Sequence, residues 1–202
     1  MSKVAPTKSD SSSGLSLALR LRSEESGAWR ELLELYGPLV ENWAACAGLG
    51  QTACQDIAQE VFLSVHRSIS EFDATTAGAT FRGWLWRITR NAVLQHLRRQ
   101  RTTPRGGSTA AAQLAAVADP WGGSSLDDPP TAPDQTTALV RRAMKQIQSR
   151  VDPVTWTAFT RTAIDGELST DVAAELGLSA AAVRKAKSRT LQRLRKQLGD
   201  IR

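Results

Sequence analysis

The segment Ser169–Ala186, with the sequence STDVAAELGLSAAAVRKA, decides the fold of the C-terminal part of this chain. Val172 and Leu176 are four residues apart, a spacing that places both apolar side chains on one face of a helix. Ala173 is small at the place where a second helix must cross closely. Gly177 follows at the turn, where glycine adopts a positive φ at little cost. The segment therefore predicts two helices with a tight turn between them.

The second helix of this pair is expected to begin after Ser179. Ser179 is predicted to be its N-cap, and Ser169 is predicted to be the N-cap of the first helix. Leu178 is expected to enter the core, and the buried stripe then continues through Val183, Leu191, Leu194 and Leu198. These spacings match a helix-turn-helix, whose second helix enters the major groove of DNA. A plain helical hairpin is the alternative, and the basic outer face of the second helix favours the DNA-binding interpretation.

The residues of that outer face divide into two roles by their position. Arg184 comes early enough in the helix to meet base edges and is the best candidate for guanine. The basic residues that follow it are candidates for phosphate contacts, which position a protein on DNA without reading its sequence. The full set of candidate DNA-contacting residues is Ser179, Ala180, Ala181, Arg184, Lys185, Lys187, Ser188 and Arg189.

The rest of the chain divides into parts of different composition. Residues 1–14 form a polar tail that is expected to be disordered. Residues 15–101 show helical periodicity, and residues 136–202 show it again. Residues 102–135 are rich in Thr, Gly, Ser, Ala and Pro, which predicts a flexible linker. The expected fold class is all-α, with two small helical domains joined by that linker.

Composition narrows the classes of partner and site. The chain has 202 residues and a formal net charge of +6, so a polyanionic partner is expected. Cys46 and Cys54 have no nearby His to complete a zinc set, so we predict neither a metal site nor a cofactor. No stretch approaches the length of a membrane span, and the N-terminus lacks the apolar core of a secretory signal. We therefore expect a cytoplasmic protein.

The first helical part opens with an amphipathic helix and continues with a second one. The apolar residues of the first helix lie near a 3.6-residue period: Trp29, Leu32, Leu33, Tyr36, Leu39, Val40 and Trp43. Pro38 lies among them and predicts a kink or a break. The second helix is expected to begin near Thr52. Asp56, Gln59 and Glu60 share one of its faces and form a polar patch beside an apolar stripe.

A third helix, from about Phe81 to Arg99, interleaves arginines with tryptophans. Arginine can neutralise phosphates and contact base edges, and a flat indole can stack on an unpaired base. For Trp84 we favour a place in the core. For Trp86 and the arginines, a core or solvated role and a nucleic-acid role are both open from composition alone.

With these residues in view, the chain resembles the extracytoplasmic-function branch of the sigma-70 family of RNA polymerase sigma factors. The resemblance in the first part rests on AWRELLELYGPLV (28–40), DIAQEVFLSVHRSISEFD (56–73) and FRGWLWRITRNAVLQHLRRQR (81–101), which are similar to region two of that family. WTAFTRTAIDGELSTDVAAELGLSAAAVRKAKSRTLQRLR (156–195) is similar to region four. The blocks follow one another in the family's order.

The resemblance implies a function and a set of partners. It implies that the chain directs core RNA polymerase to promoters, helps to open the DNA and catalyses nothing itself. It places Asp56, Gln59 and Glu60 against the polymerase clamp, and Ser179–Arg189 at the minus-thirty-five element. Its candidates for the minus-ten element are Arg82, Trp86, Arg87, Arg90, Asn91, Arg98 and Arg99. The loop 74–78 matches no motif, so the base flipped there is not predicted. An anti-sigma factor is a further implied partner, and the linker is expected to thread through polymerase.

Two other classes of protein explain part of the sequence. A polymerase-independent helix-turn-helix regulator would account for the C-terminal part, but it leaves the polar patch and the arginine–tryptophan helix without a task. A nuclease or recombinase would need clustered carboxylates for metal-dependent chemistry. Asp56 and Glu60 share a helix face, but no third acid accompanies them. His66 and His96 are expected at the surface or partly buried rather than as catalytic bases.

Overall fold

The computed structural model describes residues 17–73, 79–101, 120–121 and 129–198. In these ranges all regular secondary structure is helical, which confirms the predicted all-α class. The helices are α1 (Leu17–Arg22), α2 (Ala28–Cys46), α3 (Gln51–Ser68), α4 (Phe81–Arg101), α5 (Pro133–Gln148), α6 (Pro153–Ala163), α7 (Ser169–Leu176) and α8 (Ala180–Leu198), with a short 3₁₀ turn at Ile69–Glu71. The predicted polar tail lies outside the described residues.

The chain forms two compact units. The first unit is Glu25–Leu139 and contains α2, α3 and α4. The second unit combines α1 with the chain from Val140 onward. This division differs from the predicted domains in two respects. α1 packs against α8 rather than with the helices that follow it in sequence, and the first unit extends to Leu139 instead of ending near residue 101. Leu17 and Leu21 are almost fully buried, which explains why this short amphipathic helix adheres to its unit.

The core of the first unit lies where α2, α3 and α4 meet. Its fully buried members include Leu32, Tyr36 and Trp43 from α2, Val61 from α3 and Leu85 from α4. α2 continues through Pro38, so the chain has no break there. Proline removes one helical hydrogen bond, but burial of the apolar stripe on both sides of it offsets that loss. Two predicted stripe members lie elsewhere, because the side chain of Leu33 is 47% exposed and Trp29 is only half-buried.

The second unit contains the predicted helix-turn-helix, formed by α7 and α8 and packed against α6. Ala158, Val172, Ala173 and Val183 form its buried centre. Asp152 caps α6, since its carboxylate accepts hydrogen bonds from the backbone N–H groups of Val154 and Thr155 at 3.0 and 3.1 Å. The packing of α6, α7 and α8 around this buried centre sets the position of α8, which carries the basic face.

The turn between α7 and α8 confirms two predictions and corrects two. Gly177 ends α7 with a φ of 66°, and Ser179 Oγ accepts a hydrogen bond from the Ala182 N–H at 3.1 Å. Ser169 is the first helical residue rather than the N-cap, because Leu168 occupies the cap position without a side-chain bond. Leu178 does not enter the core. Its side chain is 37% exposed, because the left-handed glycine turns the chain outward before α8 begins.

Candidate functional site

The polar patch on α3 is assembled as its spacing predicts. Asp56 and Gln59 are exposed and Glu60 is half-buried, while Ile57 and Val61 on the other side of the helix are buried. The three polar residues are three and four positions apart, so they lie over one another on one face. The patch therefore presents two carboxylates and an amide from a rigid helix, a surface suited to a partner with basic and hydrogen-bonding groups.

An apolar groove between α2 and α3 lies beside this patch, and Gln59 belongs to both. The groove has a volume of about 680 Å³ and includes Leu33 and Leu63, whose side chains are 47% and 56% exposed. At one end the Trp29 ring stacks on the His66 ring, with centroids 4.9 Å apart. Sequence reasoning missed this groove. The available signal was that Leu63 falls outside the buried stripe of its helix.

α4 carries the candidate minus-ten residues, and its start is fixed by Thr80. The Thr80 hydroxyl accepts a hydrogen bond from the Gly83 N–H at 3.0 Å, as an N-cap does. Four of the candidates are exposed: Arg87, Asn91, Arg98 and Arg99. Arg82 and Arg90 are half-buried along the same helix. This row of guanidinium groups on one helix can meet the phosphates and bases of a nucleic acid.

Two aromatic residues in the first turn of α4, Phe81 and Trp84, pack this turn against the rest of the first unit. Trp84 is half-buried and packs against Phe72 and Phe81, with ring centroids 5.2 and 5.6 Å away. Phe81 also contacts Tyr36, whose hydroxyl is fully buried. Burial raises the pKa of Tyr36 well above its usual value, and the positive charge of Arg82 partly opposes that shift. Arg82 is half-buried, and its positive charge therefore lies near the buried Tyr36.

The outer face of α8 is basic, as predicted. The exposed candidates are Ser179, Ala181, Arg184, Lys185, Ser188 and Arg189, whereas Ala180 and Lys187 are half-buried. Arg184 lies in the second turn of α8, one residue after the fully buried Val183. The buried residue fixes the rotation of the helix, so Arg184 and Lys185 must face away from the core.

Arg161 stabilises the approach to the helix-turn-helix. Its guanidinium binds the carboxylates of Glu167, before α7, and Glu175, within α7, with closest contacts of 2.5 and 2.6 Å. Hydrogen bonds from Arg161 hold the pKa of Glu167 below its ordinary range. Sequence reasoning did not find this network, because the three residues lie on different elements. The network ties α6, the following turn and α7 together.

Comparison with known proteins places these surfaces in a family. A model of sigma-70 region 2 matches residues 32–103, which span α2, α3 and α4. Over 172 residues the chain is 34% identical to "Probable RNA polymerase sigma factor RfaY" of Xanthomonas campestris pv. campestris, covering 82% of this chain and 40% of that protein. Over 182 residues it is 26% identical to "RNA polymerase sigma factor CarQ" of Myxococcus xanthus, covering 90% of this chain and 95% of that protein. Residues 32–103 thus match a sigma-70 region 2, and the chain is similar to sigma factors over most of its length.

A further relative is named as a sigma factor of the extracytoplasmic-function (ECF) branch. A segment of 73 residues, 36% of this chain and 27% of the relative, is 34% identical to "ECF RNA polymerase sigma factor SigE" of Mycolicibacterium smegmatis. Among solved structures, "Structure of CnrH in complex with the cytosolic domain of CnrY" is similar at 24% identity with a TM-score of 0.35, over 88% of this chain and 92% of that one. This chain spans 40% of the length of RfaY.

In the segment that matches sigma-70 region 2, the structure gives Trp86 a different place from the one expected of a DNA-contacting residue. Its side chain is fully buried and packs edge-on against Trp43 and Trp121, with ring centroids 5.3 and 4.8 Å away. A ring with both faces inside the unit has no surface on which an unpaired base could stack. The interpretation of Trp86 as a base-stacking residue is therefore wrong, and its role is in the core.

Lys187 also differs from the prediction of a phosphate contact. Its ammonium donates a hydrogen bond to the backbone carbonyl of Thr162 at 2.9 Å, near the C-terminal end of α6. A cation in that position satisfies a carbonyl at the helix end and complements the negative end of the helix dipole. Lys187 thus joins α8 to α6, and the phosphate candidates of α8 that remain are Lys185 and Arg189.

In ranges 17–73, 79–101, 120–121 and 129–198 there is no group of three or more His, Cys, Asp or Glu that could hold a metal ion. No helix in the same part of the chain is long and apolar enough to cross a bilayer. Cys46 is exposed and Cys54 is buried, and burial raises the pKa of the Cys54 thiol.

Proposed function

We propose that this chain is a transcription initiation factor that directs core RNA polymerase to specific promoters and helps to open the DNA there. The observation that carries the proposal is the placement of the α3 patch and the arginine row of α4 on one compact unit. A polymerase held on α3 would then bring its DNA against α4. A second unit with a basic recognition helix supplies an independent contact to the promoter, at the minus-thirty-five element.

The proposal assigns a role to each surface. Asp56, Gln59 and Glu60 bind the polymerase clamp through their exposed carboxylate and amide groups. The strand that is opened at the minus-ten element is bound by residues of α4, namely Arg82, Arg87, Arg90, Asn91, Arg98 and Arg99. Unpairing a base costs a few kcal/mol, which contacts to the flipped base can offset. The chain itself has no catalytic residue in this proposal, because polymerase carries out the chemistry.

Its location and regulation follow from the same proposal. A factor that acts on polymerase works in the cytoplasm, and its association with the nucleoid when bound to polymerase stays a prediction. An anti-sigma factor that competes with polymerase for the first unit is a further partner. The acidic patch and the adjoining apolar groove would offer such a partner both charged and apolar contacts.

The experiment that tests the proposal is run-off transcription with purified core polymerase on promoter DNA from the protein's own upstream region. We expect transcripts that depend on the chain and that are lost with Asp56→Asn/Glu60→Gln, since this variant keeps the shape of the patch and removes its charge. Glu71→Gln/Asp165→Asn is the matched control, because it removes the same formal charge from two exposed carboxylates elsewhere. Transcripts should persist with the control.

A second arm of that experiment separates the proposal from a polymerase-independent regulator. Gel shifts compare the chain alone with the chain plus core polymerase on the same DNA. Tight specific binding by the chain alone, with no gain in affinity or transcripts from polymerase, would replace the sigma proposal with the regulator. Arg184→Ala should relax sequence preference by about 1–3 kcal/mol. Lys185→Ala should weaken binding to all sequences and flatten its salt dependence.

A further inference from the structure

The segment predicted to be a linker contributes a side chain to the core of the first unit. Trp121 is 8% exposed, and its ring packs edge-on against Trp86 of α4 at 4.8 Å. Trp86 in turn packs edge-on against Trp43 of α2 at 5.3 Å. Edge-to-face pairs at these separations are favourable beyond the apolar area that they bury. Trp121 therefore forms an outer wall over the buried side of α4.

The backbone at the end of α2 explains why a tryptophan serves here. The last carbonyls of a helix lack helical N–H partners. At the end of α2, the N–H of Ala47 binds the carbonyl of Ala44, three residues back, instead of that of Trp43. The Trp121 indole N–H instead donates a hydrogen bond to the Trp43 carbonyl at 3.2 Å. A phenylalanine could supply the ring contact but not this hydrogen bond.

A second stretch of the predicted linker is attached to α2 as well. The Trp43 indole N–H donates to the Thr131 hydroxyl at 3.3 Å, and the Gln135 side-chain amide binds the Asn42 side-chain oxygen. Trp43 thus makes hydrogen bonds to the chain before and after 122–128. In residues 120–121 and 129–135 the structure differs from the flexible linker that composition predicts, and the rest of 102–135 lies outside the described residues.

We propose that Trp121 is a positioning residue for promoter opening, and that it acts through Trp86 on the DNA-contacting face of α4. This inference rests on the proposed function. Arg87 follows Trp86 directly and is exposed, while Arg90 lies one helical turn beyond Trp86 on the same side and is half-buried. Fixing Trp86 between Trp43 and Trp121 fixes the rotation of α4. The directions of both guanidinium groups depend on that rotation.

The same contacts separate opening from polymerase binding. Trp121 contacts α2 and α4 through Trp43 and Trp86, whereas the proposed polymerase patch lies on α3. Loss of the Trp121 side chain should therefore impair the opening of duplex DNA more than it impairs binding to core polymerase. A template whose minus-ten region is already unpaired should bypass most of the defect.

The experiment measures transcripts from two forms of one promoter, a full duplex and a copy with a mismatched bubble over the minus-ten region. Full-length wild-type chain, Trp121→Ala, Trp121→Phe and Val65→Ala are each assayed with core polymerase, at temperatures where thermal unfolding shows them folded. Val65 is fully buried on α3, so its variant is a control for a general loss of core packing. Affinity for core polymerase is measured separately with a fluorescently labelled chain.

We expect Trp121→Ala to lower the duplex-to-bubble transcript ratio about tenfold, the scale set by losing one aromatic pair. Its affinity for core polymerase should stay within about twofold of wild type. Trp121→Phe should restore most of the ratio, because it keeps the ring contact. Val65→Ala should leave the ratio unchanged.

An equal fall on both templates, or a ratio for Trp121→Ala no lower than that for Val65→Ala, would overturn the inference and leave Trp121 a purely structural residue. Failure of the proposed function would look different. In that case the wild-type chain would yield no promoter-dependent transcripts from either template.

Discussion

Thr190 on α8 offers a stability prediction whose sign is opposite to that of most core substitutions. Its side chain is fully buried, and within the described residues its hydroxyl oxygen has no hydrogen-bond partner. Burying a hydroxyl without a partner costs about 1–3 kcal/mol in proteins. Thr190→Val replaces that hydroxyl with a methyl group of similar size. We therefore expect the free energy of unfolding of the second unit to rise by about 1 kcal/mol or more.

Thr162 on α6 provides the matched control. It is equally buried, but its hydroxyl donates a hydrogen bond to the Ala158 carbonyl at 2.6 Å. Thr162→Val loses that bond, whose net contribution is about 0.5–1.5 kcal/mol. Because valine and threonine have similar helix propensity, the two variants differ mainly in whether the hydroxyl was satisfied. The same atomic change should thus move stability in opposite directions at the two positions.

Urea unfolding of the full chain, followed by far-UV circular dichroism, measures the difference. For a typical dependence of about 1–3 kcal/mol per molar urea, a gain of 1 kcal/mol raises the midpoint by about 0.3–1 M. The transition of the first unit serves as an internal reference, since neither substitution lies in it. If Thr190→Val lowered the midpoint as much as Thr162→Val, the Thr190 hydroxyl would have a partner and the reasoning would be refuted.

Four further substitutions test glycine conformation, a helix cap and the ion-pair network. Gly177→Ala should cost about 1 kcal/mol in thermal unfolding because its φ is left-handed, whereas Gly37→Ala, inside α2 with open space at the new methyl, should stabilise by about 0.5–1 kcal/mol. Ser179→Ala should lose about 1 kcal/mol in urea unfolding, because the Ala182 N–H loses its cap. Glu167 has a lowered pKa, so its contribution to stability is present above the ordinary carboxyl pKa and is lost as the pH falls through the lowered value. Midpoints measured from about pH 5 to about pH 2 should fall more steeply for wild type than for Glu167→Gln, and parallel curves would contradict this.

The helices and the cap at Ser179 were predictable because they depend on residues close in sequence, although the predicted cap at Ser169 was wrong. The i, i+4 spacing on α7, the glycine at its end and the cap at Ser179 are all properties of one short segment. The polar patch on α3 was predictable for the same reason, since helical spacing alone brings Asp56, Gln59 and Glu60 together. For these local features, the sequence of one short segment was enough to predict the structure.

Two further errors concern contacts between distant parts of the chain. Lys187 was predicted as a phosphate contact, but it binds a carbonyl 25 residues earlier. For Trp86 the sequence allowed either a core role or a DNA role. In the structure it is in the core, where it packs against Trp121, which is 35 positions later. Helical periodicity reports which face of a helix is apolar. It does not report which distant segment covers that face.

A signal for Trp121 was nevertheless present in the composition. Between Thr102 and Gln135 it is the one aromatic residue, and it stands between a proline and two glycines. A tryptophan left in water would expose a large apolar surface, so a lone one in a polar stretch predicts a docking point on a neighbouring core.

The two faces of α4 explain why such an attachment matters for function. A helix that contacts DNA with arginines cannot bury those arginines to fix its own orientation, because they must remain available to the phosphates. Its orientation must come from its packed side, where Leu85, Trp86 and Val93 are fully buried. Trp43 of α2 and Trp121 both pack edge-on against the Trp86 ring on that side. If α4 binds DNA as proposed, the directions of its arginines therefore depend on Trp121, a residue that lies outside the helices of the unit.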